Sequence, residues 1–166
     1  MKKNPIYLWV LLVLSALISS MSLFRILSPL PSKEVLRASL ANSGTLTAQQ
    51  LEDTVNYTYQ VTASSHSIFN TLLIVLSAIL VVVAFVFLLR KNVQFANYAY
   101  IGYVLLAIVG LVYSYMNVQD AVKLIKDTTF GLGMGALAQG TNILFIIINV
   151  LFLALVFYKM WRQQKD

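Results

Sequence analysis

The chain has 166 residues, of which 59% are hydrophobic and 11% are charged, and its formal net charge is +6. Soluble domains are typically about 45–50% apolar and about 25% charged, so this composition excludes an ordinary soluble domain. The chain has no cysteine, which excludes disulfides, thiol redox pairs and cysteine-based metal sites. The apolar residues fall in long runs, which indicates a helical membrane protein that crosses the bilayer several times.

Four stretches are long and apolar enough to span a hydrocarbon core of about 30 Å, which takes roughly 20 apolar residues per helix. They are predicted at about 6–30, 68–89, 95–118 and 137–158. The first has the basic start of a signal peptide, but its apolar stretch is too long for one and predicts an uncleaved helix. We therefore expect an all-α integral membrane protein, a four-helix transmembrane bundle that forms a single domain over 1–166.

The long segment between the first two spans, residues 31–67, is predicted to be helical. Ser32 is a possible N-cap of a short helix that stops at "NSG", and Thr47 to Gln50 fit a capping box. The second helix could run straight into the next span. The alternation in "VNYTYQVT" would also suit a strand, but no partner strand is evident, so we favour a helix. Its apolar positions Leu51, Val55 and Tyr59 are expected to pack on the last loop or on a partner.

The connection between the third and fourth spans is "QDAVKLIKDTTFGLGMGA", residues 119–136. Residues 129–133 have the T-x-G-x-G form of a potassium filter, in which stacked backbone carbonyls coordinate the ion. The two preceding lysines, Lys123 and Lys126, would repel cations. We therefore favour a small-residue start of the fourth span, in which Gly131 and Gly135 allow close backbone approach.

The basic residues predict the orientation of the spans. The side that carries both termini would hold Lys2, Lys3, Arg90, Lys91, Lys159, Arg162 and Lys165. The opposite side has fewer basic residues, diluted by carboxylates. Because cytoplasmic flanks carry the excess of Lys and Arg, we predict that both termini are cytoplasmic and that 31–67 is extracytoplasmic. The positive charge is then a topology signal and does not predict a nucleic-acid partner. A compact chain with short inner loops favours a bacterial plasma membrane.

The titratable residues predict no enzyme. His66 is the single histidine, and no metal cluster, nucleophile elbow or phosphate-binding glycine loop is present, so no catalytic, cofactor or metal site is expected. No acidic residue lies in a span, which argues against a proton-driven exporter. Arg25 is the only charge in a span, and its side chain could snorkel to the headgroups or contact an anionic lipid or a partner.

The remaining candidates are polar side chains at helical spacing within the spans. They are Ser15, Ser19, Asn70, Ser77, Gln139, Asn142 and Asn149. In lipid, such residues either join helices or line a polar pathway. We expect helix seams, with Asn149 meeting Ser77 and Asn142 meeting Asn70. Tyr100 is expected among the aromatic residues at the inner interface.

These features predict a non-enzymatic accessory or assembly subunit of a membrane complex, which contacts the lipid bilayer and either a membrane protein partner or further copies of itself. The alternative is an oligomeric pore or a small-solute transport protein. A closed ring of copies around a polar lumen would favour the pore.

Overall fold

The computed structural model describes residues 5–42 and 46–163, which form six helices and, within these ranges, no strand. In chain order they are α1 (Ile6–Leu27), α2 (Lys33–Ala41), α3 (Ala48–Ser65), α4 (Ile68–Leu89), α5 (Val93–Val122) and α6 (Thr128–Gln163). The helices α1, α4, α5 and α6 are each long and apolar enough to cross a membrane. An all-helical, multi-pass architecture follows from these four helices.

The first predicted span ends earlier than expected. α1 stops at Leu27, and Ser28 adopts an extended conformation with φ −72° and ψ 139°. Pro29 explains this end, because a proline disfavours the helical conformation of the residue before it. α4 has the predicted limits, 68–89.

The last two spans are longer than predicted, and the connection between them is much shorter. α5 continues to Val122 and α6 begins at Thr128, so most of the expected connection 119–136 is helix. Residues 129–133 lie in the first turns of α6, where the backbone carbonyls bond within the helix. The potassium-filter alternative is therefore wrong.

The segment between α1 and α4 is helical as predicted, and the strand alternative is wrong. Thr47 Oγ1 accepts the Gln50 N–H at 3.2 Å, and Gln50 Oε1 accepts the Thr47 N–H at 3.2 Å. This reciprocal pair is the predicted capping box. Ser32 Oγ accepts the Val35 N–H at 3.4 Å and begins α2. The expected stop at "NSG" falls partly outside the described residues.

α3 does not run on into α4 as the sequence suggested. It ends at Ser65, and Ser67 is a new N-cap that accepts the Asn70 N–H at 3.2 Å. Ser67 starts α4, because its side chain satisfies a free N–H of the first turn.

The helices pack in a defined order. α4 and α6 both pack on α5, α1 packs on α4, and α3 packs on α5 and α2. We call the end that carries α2, α3 and the α5–α6 turn the cap end, and the end that carries the α4–α5 turn, residues 90–92, the turn end. The main core lies toward the turn end and is formed by Leu8, Leu11, Leu12, Val81, Ala84, Leu88, Ala96, Tyr100, Tyr103, Val104 and Val156. A smaller apolar cluster at the cap end consists of Tyr57, Ala121 and Ile125.

Candidate functional site

A buried carboxylate joins α3 to the α5–α6 turn at the cap end. The side chain of Asp53 is on α3, and the residue is 1% exposed. Its Oδ2 accepts the backbone N–H of Lys126 at 3.0 Å and that of Asp127 at 3.3 Å, and its Oδ1 accepts Gln49 Nε2 at 2.8 Å. Gln49 can reach Asp53 because residues four apart are neighbours on a helix. The carboxylate therefore fixes the turn by accepting hydrogen bonds from two backbone N–H groups that have no partner within a helix.

Asp127 then caps the N-terminus of α6. Its Oδ1 accepts the Phe130 N–H at 3.0 Å, and its Oδ2 accepts Gln50 Nε2 at 3.4 Å. The Phe130 N–H, followed by the Gln50 amide, lowers the pKa of the Asp127 carboxyl below its usual value. Gln50 therefore bonds two groups, the Asp127 carboxylate and the Thr47 N–H in the capping box of α3.

Apolar contacts support this junction. Gly131 lies close to the α5–α6 turn and Gly135 to the end of α5, since an added Cβ would be 3.2 Å from Ile125 Cγ2 and 2.9 Å from Val122 Cγ2, respectively. The predicted close approach at these glycines is therefore one of the α6 backbone to side chains, not of two backbones. Tyr57 of α3 packs on Ile125, and burial raises the pKa of its phenol.

α2 is attached to the other side of α3 by exposed polar contacts. Arg37 pairs with Glu52, and Lys33 Nζ donates to Asn56 Oδ1 at 2.8 Å and lies 5.3 Å from the Tyr59 ring centroid. Exposed ion pairs contribute about 0–1 kcal/mol, so the Arg37–Glu52 pair adds little to this attachment.

The expected apolar face of α3 is therefore only partly correct. Val55 is fully buried and Leu51 is half-buried, but Tyr59 faces Lys33 of α2. The face that meets α5 and the α5–α6 turn contains Asp53 and Tyr57 instead.

The polar residues predicted within the spans do not converge. Ser15, Ser19 and Asn142 are buried, whereas Asn70, Ser77, Gln139 and Asn149 are half-buried. Asn149 Nδ2 donates to its own helix at Phe145 O, 2.8 Å away, and Asn70 Nδ2 donates to Ser65 O at 2.6 Å. The predicted pairing of Asn149 with Ser77 and of Asn142 with Asn70 is wrong, because α5 is the helix on which both α4 and α6 pack.

A buried polar cluster near the turn end was not predicted. Tyr7 OH donates to Asn97 Oδ1 at 3.0 Å, linking α1 to α5, and Lys159 Nζ lies 5.9 Å from the Tyr7 ring centroid. Asn97 and Tyr100 are both fully buried, so Tyr100 does not line an interface as expected. Asn97 Nδ2 has no hydrogen-bond partner among the described residues, and the Tyr100 hydroxyl makes no hydrogen bond of standard geometry there, its polar neighbour being Ser15 of α1. The stretch "QFANYAY" indicated this polar cluster, because residues 97 and 100 lie about one helical turn apart and on the same face.

The remaining candidates lie apart from these contacts. Arg25 is exposed in the last turn of α1, which leaves its predicted contact with a lipid or partner open. His66 is the C-cap of α3 and is bound to backbone oxygens. Within the described ranges, no three His, Asp or Glu side chains gather as they would around a metal ion.

Comparison with known proteins finds one family. No curated protein and no solved structure matches the chain. A family model described as "Domain of unknown function (DUF8777)" matches residues 1–166. The match covers the whole sequence, including the cap end with Asp53 and the turn end with Asn97, and the chain belongs to this family.

Proposed function

We propose that the protein is a non-enzymatic accessory or assembly subunit of a membrane complex, and that α6 is the helix that contacts the partner. The observation that carries this proposal is the uneven burial of the spans. Only 6% of the apolar stretch of α6 is buried within the chain, against 22% in α1 and α4 and 28% in α5. α6 packs on α5 and leaves most of its circumference uncovered.

The uncovered surface of α6 contains small residues that a lipid-facing helix does not need. Gly133, Ala136 and Gly140 are exposed, and nothing lies within 4 Å of a Cβ added at either glycine. Ala136 and Gly140 are one turn apart, which is the spacing of small residues at helix–helix contacts in membranes. The absence of bulk lets a second backbone approach closely, and this favours a transmembrane helix of another protein as the occupant.

The polar side chains of the spans support the accessory role over the alternative, an oligomeric pore or transport protein. Ser15 and Ser19 are buried inside the chain. Thr141 Oγ1 donates to Leu137 O at 2.9 Å, and Asn149 Nδ2 donates to Phe145 O at 2.8 Å. These four side chains lie inside the chain or bond within their own helix, which makes them poor candidates for lining a lumen between copies.

In this proposal both termini are cytoplasmic, α2 and α3 are extracytoplasmic, and the membrane is a bacterial plasma membrane. The excess of basic residues at the turn end and at both termini supports this orientation. A cysteine introduced at Ser39 should react with an impermeant thiol reagent in intact cells, and one at Asn92 should not. The chain has no other cysteine to interfere. The reverse labelling pattern would overturn the orientation.

The partner contact is tested by photocrosslinking in native membranes. A photoreactive amino acid replaces Leu137, which is 76% exposed on α6, or Val82, which is 61% exposed on α4 and serves as the control position. We expect one discrete heterologous protein adduct from position 137 and none from position 82. The same adduct should fall several-fold with Gly140→Leu and should persist with Ile147→Leu, which leaves the small residues unchanged.

Two outcomes contradict the proposal. An adduct with the mass of two copies of this chain would assign the α6 face to self-association and favour the oligomeric pore. Labelling of lipid alone at both positions would show that α6 has no protein partner.

A further inference from the structure

The turn between α4 and α5 contains a lysine with a left-handed backbone. α4 ends at Leu89, and Lys91 has φ 60°, the one positive φ of a residue other than glycine in the described part of the chain. The Lys91 N–H donates to Leu88 O at 3.0 Å, and the Asn92 N–H donates to Phe87 O at 2.9 Å. Many helices end with this pair of hydrogen bonds, and the left-handed position is usually glycine, because a Cβ is crowded there. Lysine at this position therefore costs backbone free energy that glycine would not.

Neither the turn itself nor the orientation of the spans requires a lysine at position 91. Glycine would form the same turn without strain. The topology signal depends on how many basic residues lie in a flank and not on one backbone position. Arg90 carries such a charge next to Lys91 with an ordinary φ of −76°. Because strained residues are retained where their side chains are used, the strain indicates a role for the Lys91 ammonium group.

The basic side chains at the turn end have no carboxylate near them. Among the described residues this end has no aspartate or glutamate, and its basic residues are Arg90, Lys91, Lys159 and Arg162. Both ion pairs formed within the described ranges lie at the cap end. Lys159 Nζ lies 5.9 Å from the Tyr7 ring centroid, whereas Arg90 and Lys91 are exposed side by side. The counterion of Arg90 and Lys91 is therefore expected to come from outside these parts of the chain.

Aromatic side chains indicate the depth of the turn in the membrane. The rings of Phe87 and Phe95 stack with their centroids 5.4 Å apart, and the Tyr98 ring centroid is 6.3 Å from that of Phe95. Phe95 and Tyr98 are about half exposed beside the turn. Exposed aromatic residues at the end of an apolar span are typical of the layer that contains the lipid headgroups. We therefore expect Arg90 and Lys91 at the depth of the lipid phosphates.

We propose that Arg90 and Lys91 together bind the headgroup of an anionic phospholipid in the leaflet that borders the turn end. A guanidinium group can donate two parallel hydrogen bonds to one phosphate, and an ammonium group adds a compact charge with three donors. One basic residue near an anionic membrane surface changes binding about five-fold. The site is separate from Arg25 at the cap end, and it does not depend on the identity of the α6 partner.

The site is tested on the full chain in phosphatidylcholine vesicles that contain a trace of spin-labelled phosphatidylglycerol or spin-labelled phosphatidylcholine. Electron spin resonance measures the fraction of each labelled lipid that the protein immobilises, and the ratio of the two gives the preference for the anionic headgroup. Lys91→Gly and Arg90→Gln each remove one charge from the site. Arg162→Gln is the matched control, because it removes one exposed charge from the same end of the molecule.

We expect the unsubstituted chain to prefer phosphatidylglycerol, and this preference should fall about five-fold in Lys91→Gly and in Arg90→Gln. It should change much less in Arg162→Gln. Lys91→Gly should also raise the midpoint temperature of unfolding, because glycine relieves the left-handed strain, whereas Arg90→Gln should not raise it. A loss of lipid preference together with a gain in stability distinguishes a binding role of Lys91 from a structural one.

Several results would overturn the site. Equal losses of preference in Arg162→Gln and Lys91→Gly would show a diffuse attraction to the basic end of the molecule. Displacement of the labelled lipid by inorganic phosphate at constant ionic strength would assign Arg90 and Lys91 to a soluble anion. A Lys91→Gly variant that is less stable than the unsubstituted chain would make the lysine a structural part of the turn. Altered labelling of a cysteine at Ser39 in intact cells that carry Lys91→Gly would show that the charge serves orientation instead.

Discussion

Buried polar side chains are hydrogen-bonded more completely at the cap end of the molecule than near the turn end. At the cap end, the carboxylate of Asp53 accepts three hydrogen bonds, two of them from backbone N–H groups of the α5–α6 turn. Near the turn end, Asn97 has one bonded oxygen, its nitrogen lacks a partner in the described part of the chain, and the Tyr100 hydroxyl has only a poorly aligned contact with Ser15. A turn offers free backbone donors, whereas within a helix nearly all backbone groups are already bonded. Polar side chains among packed helices can therefore be satisfied mainly by one another.

The largest expected effect tests the cap end. Asp53→Ala leaves the Lys126 and Asp127 N–H groups without their buried acceptor, and it should lower the free energy of unfolding by about 3 kcal/mol. Thermal or denaturant unfolding in mild detergent measures this loss. The matched control is Glu52→Ala, which removes an exposed ion pair from the same helix and should cost less than about 1 kcal/mol. Equal effects of the two substitutions would show that Asp53 does not hold the turn.

A second substitution tests the close approach of α6 to α5. Gly135→Ala places a Cβ 2.9 Å from Val122 Cγ2, and the stiff β-branched side chain cannot easily move aside. We expect a loss of about 1–2 kcal/mol in the same unfolding assay. Gly110→Ala is the control, since nothing lies within 4 Å of its Cβ, and it should be neutral or stabilising by up to about 1 kcal/mol. If Gly135→Ala is as well tolerated as Gly110→Ala, the contact is looser than its geometry indicates.

The incompletely satisfied cluster near the turn end predicts losses of different size for two substitutions. Tyr7→Phe removes the hydrogen bond to Asn97 Oδ1 and should cost about 1 kcal/mol, because the amide then loses its bonded partner. Asn97→Leu removes the same hydrogen bond but also removes the buried amide nitrogen that has no partner, so it should cost less than Tyr7→Phe. Unfolding of both variants in detergent compares them directly. A large loss in Asn97→Leu would mean that the amide nitrogen has a role beyond packing.

The smallest expected effect concerns pH at the cap end. The lowered pKa of Asp127 means that its ionised form is favoured in the folded chain, so its contribution to stability is present above the ordinary carboxyl range. This contribution is lost as the pH falls through the folded-state pKa. As the pH is lowered from neutral to about 3, the unfolding midpoint should therefore decrease. It should decrease less in Asp127→Asn, which keeps the capping oxygen but does not titrate. Identical pH profiles of the unsubstituted chain and Asp127→Asn would show that Asp127 does not contribute to the loss of stability in acid.

The helices of the cap could largely be predicted because their signals are local. The Thr47–Gln50 capping box and the Ser32 N-cap each involve residues three apart, and both formed. The importance of Asp53 could not be predicted in this way. Its partners Lys126 and Asp127 are more than 70 positions away, and the predicted connection 119–136 hid the fact that only residues 123–127 form the turn.

The sequence by itself determined that the chain is helical, that four helices are long and apolar enough to cross a membrane, and where α4 lies. These properties depend on hydrocarbon length, on prolines and on caps, all of which act over a few residues. Only the tertiary structure decided which helices are neighbours. Asn149 bonds Phe145 of its own helix because α4 and α6 both pack on α5, and equal membrane depth does not make two helices adjacent. The order of packing depends on how whole helix faces fit together, including the close contacts at Gly131 and Gly135, and this fit cannot be derived from the spacing of polar residues along a single helix.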